Sequence, residues 1–193
     1  QRPLAQQYVD RPLTVCGYKS TLRIYVLLTA VDPFRVYVFD NGLVRLCSRP
    51  YTNRPDTFTD RLVHLTNCDV HKAVAGEAAV ENFTLPDADF RQHNLKSDVR
   101  SYLAYHHAKT PNAPPPCDVW RAIERVVLHT MLLAVPRVTA AVRRDVPHRN
   151  NVYELLGFDV MLDADFHPWL LEVNHTPAVD PDGWLANEVK LQM

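Results

Sequence analysis

The chain has 193 residues, 47% of them hydrophobic and 22% charged, with a formal charge of −1. That is the composition of a globular domain with a substantial core, and it excludes any global electrostatic pull toward nucleic acid or a membrane surface. Four widely spaced cysteines, Cys16, Cys47, Cys68 and Cys117, form no C-x-x-C pair, which fits a reducing compartment better than a disulfide framework.

In chain order, Tyr8-Val9 and residues 13–15 flank Arg11-Pro12 and read as a short extended segment with a proline at a sheet edge. Residues 23–30 and 35–40 are strand-like, rich in Val, Ile, Leu, Tyr and Phe, and residues 31–34 supply a proline turn between them. Asn41-Gly42 reads as a second tight turn, because Asn-Gly favours the positive φ of two-residue hairpins, and leads into a third strand over 43–47. The expectation is an antiparallel meander. Residues 48–60 are polar and form a loop, and residues 70–90 show no clear periodicity.

Ser97 is placed to cap a helix running through Tyr105. Four prolines between 111 and 116 exclude regular structure there, and Asp118 caps a helix whose apolar face is Trp120, Ile123, Val127 and Met131. Pro136 bends or ends that helix. The longest apolar stretches, 24–28 and 126–135, fall short of the ~20 residues that span a bilayer. No secretory signal opens the chain, and it starts at Gln1 rather than methionine, so a piece of a longer protein is expected.

Residues 156–163 and 169–174 read as two strands joined around 164–168. A turn centred between Asp165 and Phe166 makes Asp159 oppose Glu172 and Gly157 oppose Asn174. Period-two alternation then puts Asp159, Glu172 and Asn174 on one face, with Phe158, Val160, Leu171 and Val173 on the other. Facing carboxylates repel unless compensated. A divalent cation compensates them, and two acids with an amide are hard oxygen ligands suited to Mg²⁺ and its phosphate partners. A nearby arginine does so equally well, and an acidic solvated face is the plain alternative.

Lys19, Thr21 and Arg23 share one face of the first long strand, and Arg45 lies in the same sheet. Such cations can clamp a phosphoryl group, arginine by its planar fork, or can simply be solvated edge charges. His64-Leu65-Thr66-Asn67 offers imidazole, hydroxyl and amide groups suited to ribose or phosphate. Zinc on His64, Cys68 and His71 is disfavoured because structural zinc needs four ligands. Five unclustered glycines exclude a P-loop and a dinucleotide fingerprint, and no G-x-S-x-G elbow occurs.

Taken together, Gln6-Gln7-Tyr8-Val9, the run from Gly17 to Val26, Gly42-Leu43-Val44-Arg45, His64-Leu65-Thr66-Asn67, Leu156-Gly157-Phe158-Asp159-Val160 and Trp169-Leu170-Leu171-Glu172-Val173-Asn174-His175 resemble, in order, motifs of the tubulin–tyrosine-ligase-like enzymes. The resemblance implies an α+β, ATP-grasp-like fold, an antiparallel sheet with packed helices. It also implies that residues 1–193 are a partial domain lacking its N-terminal subdomain, and so an incomplete catalyst. It puts Asp159, Glu172 and Asn174 on Mg²⁺-binding positions, and Lys19, Arg23 and Arg45 beside the ATP phosphates, the two arginines being catalytic. Gln6, Gln7, Tyr8 and Val9 fall around adenine, and His64, Thr66 and Asn67 make further nucleotide contacts.

His175 after Asn174 looks like the polyglutamylase branch, where this residue handles glutamate. The implied activity is ATP-dependent addition of free glutamate to glutamates of tubulin tails on microtubules, through an acyl phosphate, in the cytoplasm, the cytoskeleton and cilia or flagella. Nucleic acid and membrane are not implied partners. Thr21 departs from the family's Lys-Phe-Asp-Leu-Arg pattern. With the basic run Arg143-Arg144 and His148-Arg149, that departure keeps open an inactive microtubule-binding module. A glycine or tyrosine ligase of the same family is the other alternative.

Overall fold

A computed structural model of the chain describes residues 5–76, 98–148 and 152–177. Strand β1 (Thr14–Val15) leads into β2 (Tyr18–Val31), which forms a hairpin with β3 (Phe34–Leu46). A 3₁₀ turn (Pro55–Thr57) precedes two short helices, α1 (Arg61–His64) and α2 (Cys68–Ala75). Helices α3 (Val99–Lys109) and α4 (Pro116–Asp145) follow, and β4 (Glu154–Leu162) with β5 (Pro168–His175) makes the last hairpin. The architecture is α+β. β2 lies between β3 and β4, every described pairing is antiparallel, and β5 is an outer strand.

Alternation along β2 organises the domain. Its even-numbered residues Leu22, Ile24, Val26 and Leu28 join Phe158, Val160 and Leu162 in a core with Val99, Tyr102 and Leu103 of α3 and Val119, Ile123, Val127 and Met131 of α4. Each fully buried aliphatic or aromatic side chain there contributes roughly 1.5–3 kcal/mol. The odd-numbered residues Lys19, Thr21, Arg23 and Tyr25 face the other way and are nonetheless buried. Both faces of β2 are therefore covered, one by helices and the other by polar side chains.

The expected turn at Asn41-Gly42 does not form. β3 runs unbroken through both residues, with a bulge that opposes Ile24 to Gly42 and Val26 to Val38. An added Cβ at Gly42 would stand 2.4 Å from the Arg23 carbonyl oxygen, so this glycine permits close backbone approach rather than chain reversal. Asn41 turns its Oδ1 inward to accept the Gly42 and Arg100 N–H groups. The meander is thus a two-stranded hairpin. The turn at residues 31–34 is present as expected, with a cis Asp32-Pro33 peptide.

Other boundaries also move. Residues 5–9 lie outside any strand. The polar loop 48–60 contains the 3₁₀ turn, and α2 occupies the first part of the stretch 70–90, whose remainder lies outside the described residues. Ser97 also lies outside them, and Asp98 is the N-cap of α3, accepting from Arg100 N–H. α4 begins at Pro116 with Pro115 as N-cap. Proline suits a first helical turn because its missing N–H is unpaired there anyway, and Asp118 sits inside that turn.

The helix continues past Pro136 to Asp145. Leu132, whose carbonyl loses its partner to the proline, is half exposed, so water can replace the bond. The uninterrupted apolar run in α4 is short. By length and mean hydropathy alone, however, α4 is, among the described residues, the one helix that could cross a membrane. Its Val119, Ile123, Val127 and Met131 pack in the core, while Leu128, Leu132 and Leu133 are exposed.

Candidate active site

The last hairpin turns about Asp165, half a residue from the expected centre, and pairs Leu162 with Pro168, but beyond a register shift it reaches the anticipated pairs. Asp159 opposes Glu172, and Gly157 opposes Asn174. Its turn is built by Asp163, whose Oδ1 accepts the N–H groups of Asp165 and His167 while Oδ2 accepts Trp169 Nε1–H. Burial alone would raise the Asp163 pKa, but these hydrogen bonds hold it below the ordinary value.

A register shift after Asp159 pairs Val160 with Leu170 and leaves Leu171 as the extra residue. The apolar face is therefore not the expected one. Phe158 and Val160 are fully buried, whereas Leu171 sits in the bulge and Val173 on an outer strand, and both are exposed.

Asp159, Glu172 and Asn174 do converge. Asn174 Nδ2 donates to Asp159 Oδ2 at 3.3 Å and to Glu172 Oε1 at 3.2 Å. The facing acids are compensated by arginine. Arg23 lies opposite Asp159 across the β2–β4 ladder, donating from Nε to Oδ1 at 2.5 Å and from Nη2 to Oδ2 at 2.9 Å. Arg45 Nη1 donates to Oδ2 at 3.2 Å. Desolvation pushes the Asp159 pKa up, but the Arg23 hydrogen bonds and the two guanidinium charges outweigh it and hold it below the carboxylate norm. For Arg23, burial would lower the pKa, and the bonds and charge of Asp159 raise it instead.

Lys19 and Thr21 complete this face through a different region of the chain. Lys19 Nζ donates to the His64 carbonyl at 2.9 Å and to Tyr8 Oη at 3.3 Å, and it stands 4.9 Å from the Tyr8 ring centre. Burial lowers the Lys19 pKa and raises that of nearby Cys47 to about 12. Thr21 and Thr66 share a hydroxyl–hydroxyl bond of 2.7 Å, so the departure at Thr21 is accommodated by a neutral partner.

The His64 ring is held between Tyr8 Oη at Nδ1 and Thr57 Oγ1 at Nε2, with Tyr51 and Phe58 edge-on. Burial and then the Lys19 charge lower its pKa, favouring the neutral ring. Asn67 caps α2 with Oδ1, which leaves Nδ2 for any ligand. For the zinc alternative, both nitrogens of His71 are engaged, by Ser48 Oγ and the Leu65 carbonyl.

Gln6, Gln7 and Tyr8 are exposed and Val9 is half-buried. Among the described residues only Tyr8 of these four reaches Lys19 and His64. His175 ends β5, is exposed, and its hydrogen bond is to Thr176 rather than to Glu172 or Asn174. Arg143 and Arg144 of the basic run are paired with Asp32 and Asp145, His148 is exposed, and Arg149 lies outside the described residues.

Three contributors, all from one loop, were not legible in the sequence. Thr57, Phe58 and Tyr51 enclose His64 from a loop without periodicity. Gly157 seats Arg23, since a Cβ there would meet Arg23 Cδ at 3.0 Å, Arg23 Nε at 3.1 Å and Pro177 Cβ at 2.9 Å. The one sequence signal for Gly157 was its place opposite Asn174.

The sequence profile of the tubulin-tyrosine ligase family matches residues 1–193. The chain belongs to that family. It is 35% identical over 192 residues to a tubulin polyglutamylase, TTLL6, of Homo sapiens, covering 97% of this chain and 20% of that protein. Against the Danio rerio tubulin polyglutamylase ttll6 the identity is 35% over 191 residues, covering 97% of this chain and 23% of the relative. A tubulin monoglutamylase, TTLL4, of Homo sapiens is 34% identical over 194 residues, covering 100% of this chain and 15% of its own length. The chain thus spans about a fifth of the length of these curated relatives.

The residues present fit a hard divalent cation. Glu172 is exposed and accepts one hydrogen bond, and turning the Asn174 amide would offer an oxygen beside it. Among the described residues no three His, Cys, Asp or Glu side chains are grouped to hold a metal ion, so a cation here would depend on Asp159, Glu172 and the Asn174 amide.

Proposed function

We propose that the complete protein is an ATP-dependent carboxylate–amine ligase that adds glutamate to glutamate side chains of tubulin tails. The observation that carries this reading is the convergence of Asp159, Glu172 and Asn174 beside Arg23 and Arg45. The choice of glutamate and tubulin rests on the kinship with the tubulin glutamylases. Cytoplasmic and cytoskeletal action, cilia included, belongs to the same proposal, as does the absence of nucleic-acid and membrane partners. Residues 1–193 are in this reading part of a larger ATP-grasp domain.

In the proposed reaction an acceptor carboxylate oxygen attacks the γ-phosphorus of ATP and ADP leaves. The glutamate amine then attacks the acyl carbon, phosphate departs, and the nitrogen loses a proton as the isopeptide forms. Arg45, which is partly exposed, offers donors to the phosphoryl oxygens as charge develops there, and Arg23 does so once turned from Asp159. Lys19 adds positive charge on the phosphate side, and its partly desolvated ammonium acts in a low-dielectric setting. Tyr8, with Gln6, Gln7 and Val9, borders the adenine, and His64, Thr66 and Asn67 hold the nucleotide further along. Asp159, Glu172 and Asn174 would hold Mg²⁺, which supplies neutralisation of phosphate charge when bound. His175, at the end of the same strand, is assigned to the incoming glutamate.

The test is incorporation of radiolabelled glutamate, glycine or tyrosine into tubulin by the complete protein and its Glu172→Gln variant. ATP-dependent glutamate incorporation that disappears in the variant, with the melting temperature unchanged, is the expected outcome. Turnover retained in Glu172→Gln, or glycine or tyrosine as the amino acid used, overturns it.

A further inference from the structure

At the centre of the candidate metal set, the Asp159 oxygen that faces Asn174, Oδ2, has no vacancy. Asp159 has about four lone-pair directions. Four N–H groups point at them: Arg23 Nε on Oδ1, and Arg23 Nη2, Arg45 Nη1 and Asn174 Nδ2 on Oδ2. Glu172, two residues from Asn174, receives one. A cation can therefore approach Glu172 directly but can reach the neighbouring Asp159 Oδ2 only when donors withdraw.

The strongest of those donors is Arg23, which grips both oxygens and lies along the space left by Gly157. We propose that Arg23 is a built-in counter-ion that competes with the divalent cation for Asp159. The cation then binds tightly only together with a nucleotide whose phosphates draw the guanidinium away.

This rests on the ligase reading of the site and adds a coupling to it. Phosphate oxygens are acceptors of the same kind as Asp159, so a triphosphate arriving beside Arg23 and Arg45 offers the guanidinium a second seat. Moving Arg23 there leaves Oδ1 without a donor and Oδ2 with only Arg45 and Asn174, and the turn of the amide that offers the Asn174 oxygen then opens a direction on Oδ2 for the cation that accompanies the phosphates. By linkage, nucleotide strengthens cation binding and cation strengthens nucleotide binding by the same factor, of the order of 5–150-fold. Without nucleotide the site is closed by its own arginine, so free Mg²⁺ does not accumulate there. Gly157 is then a positioning residue that acts through Arg23.

The experiment is a Mn²⁺ titration of the complete protein by electron paramagnetic resonance, with and without ADP, for wild type, Arg23→Lys, Arg23→Gln, Gly157→Ala and Glu172→Gln. Arg23→Lys keeps the charge but cannot span both carboxylate oxygens, and Gly157→Ala changes no charge. Both are expected to bind nucleotide-free Mn²⁺ about tenfold more tightly than wild type and to show a smaller ADP effect.

Near-ultraviolet circular dichroism reports whether each variant is folded. If Arg23→Gln does not fold, the lysine and alanine variants still decide. Unchanged or weaker nucleotide-free Mn²⁺ binding in both of them overturns the competition, as does tightening in Arg23→Gln alone, which reports lost charge only. Failure of the underlying reading looks different, because Glu172→Gln then binds Mn²⁺ as well as wild type with ADP present, and the coupling falls with it.

Discussion

Replacing Asp159 with Asn removes the buried negative charge shared by Arg23 and Arg45. The side chains of Asp159 and Arg23 are 8% and 7% exposed, so water cannot take over the role of the missing carboxylate. Asparagine keeps the shape and one acceptor oxygen, but its amide nitrogen must face a guanidinium donor. Breaking a buried pair from one side costs about 3–5 kcal/mol. The 26% exposure of Arg45 and the nearby Glu172 charge soften the loss, which places Asp159→Asn near ~3 kcal/mol.

The assay is urea denaturation of the complete protein, read as a lower midpoint at constant slope for the transition containing this domain. Its pH dependence follows from the depressed pKa of Asp159. A carboxyl whose folded pKa lies below its unfolded value of about 3.9 contributes fully above that pH and loses the contribution as pH falls toward the folded value. Wild type and variant therefore separate at neutral pH and converge in acid below about pH 4. A loss under about 1 kcal/mol, or a gap that persists unchanged into acid, refutes the reasoning.

Two further predictions concern elements around the site. Gly42→Ala forces a Cβ to within 2.4 Å of the Arg23 carbonyl and must part β2 from β3. We expect a loss of about 3 kcal/mol in the same denaturation assay, the upper end for overpacking, whereas a surface hairpin turn would tolerate the change. His106 packs between Tyr102, Tyr105 and Phe166, with a buried Nε2 that has no hydrogen-bond partner among the described residues. Burial lowers its pKa to about 4. The unfolded chain then binds the extra proton between about pH 6.5 and 4, so stability falls by up to about 3 kcal/mol as pH drops through that window. His106→Phe should flatten that slope, and an unchanged slope in the variant counts against the burial argument.

The site was legible where alternation and turn chemistry act locally. The polar face of β2 follows from Lys19, Thr21 and Arg23 at period two, whereas the pairing of Asp159 with Glu172 and Gly157 with Asn174 is reached from a turn half a residue off the expected centre, the extra residue Leu171 making up the difference. The bulge that exposes Leu171 is one extra residue and leaves no mark in composition. Asn41-Gly42 misled because glycine serves positive φ and close backbone approach equally, and only the presence of Arg23 across the ladder distinguishes them. The pairing of Arg23 with Asp159 joins residues 136 positions apart, and the bond of Thr21 to Thr66 joins residues 45 apart. No periodicity carries such contacts, since they arise only once β4 has docked on β2 and the His64–Asn67 segment has folded over the sheet.

In the proposed site two acids and an amide hold one divalent cation against nucleotide phosphates. Anomalous diffraction at the manganese edge, from crystals of the complete protein grown with Mn²⁺ and a non-hydrolysable ATP analogue, tests it most directly. The expected result is a peak bounded by oxygens of Asp159, Glu172 and Asn174 at roughly 2.0–2.4 Å, with Arg23 turned toward phosphate. A peak on the phosphates alone, with Asp159 still clasped by Arg23 and Glu172 left in solvent, contradicts it.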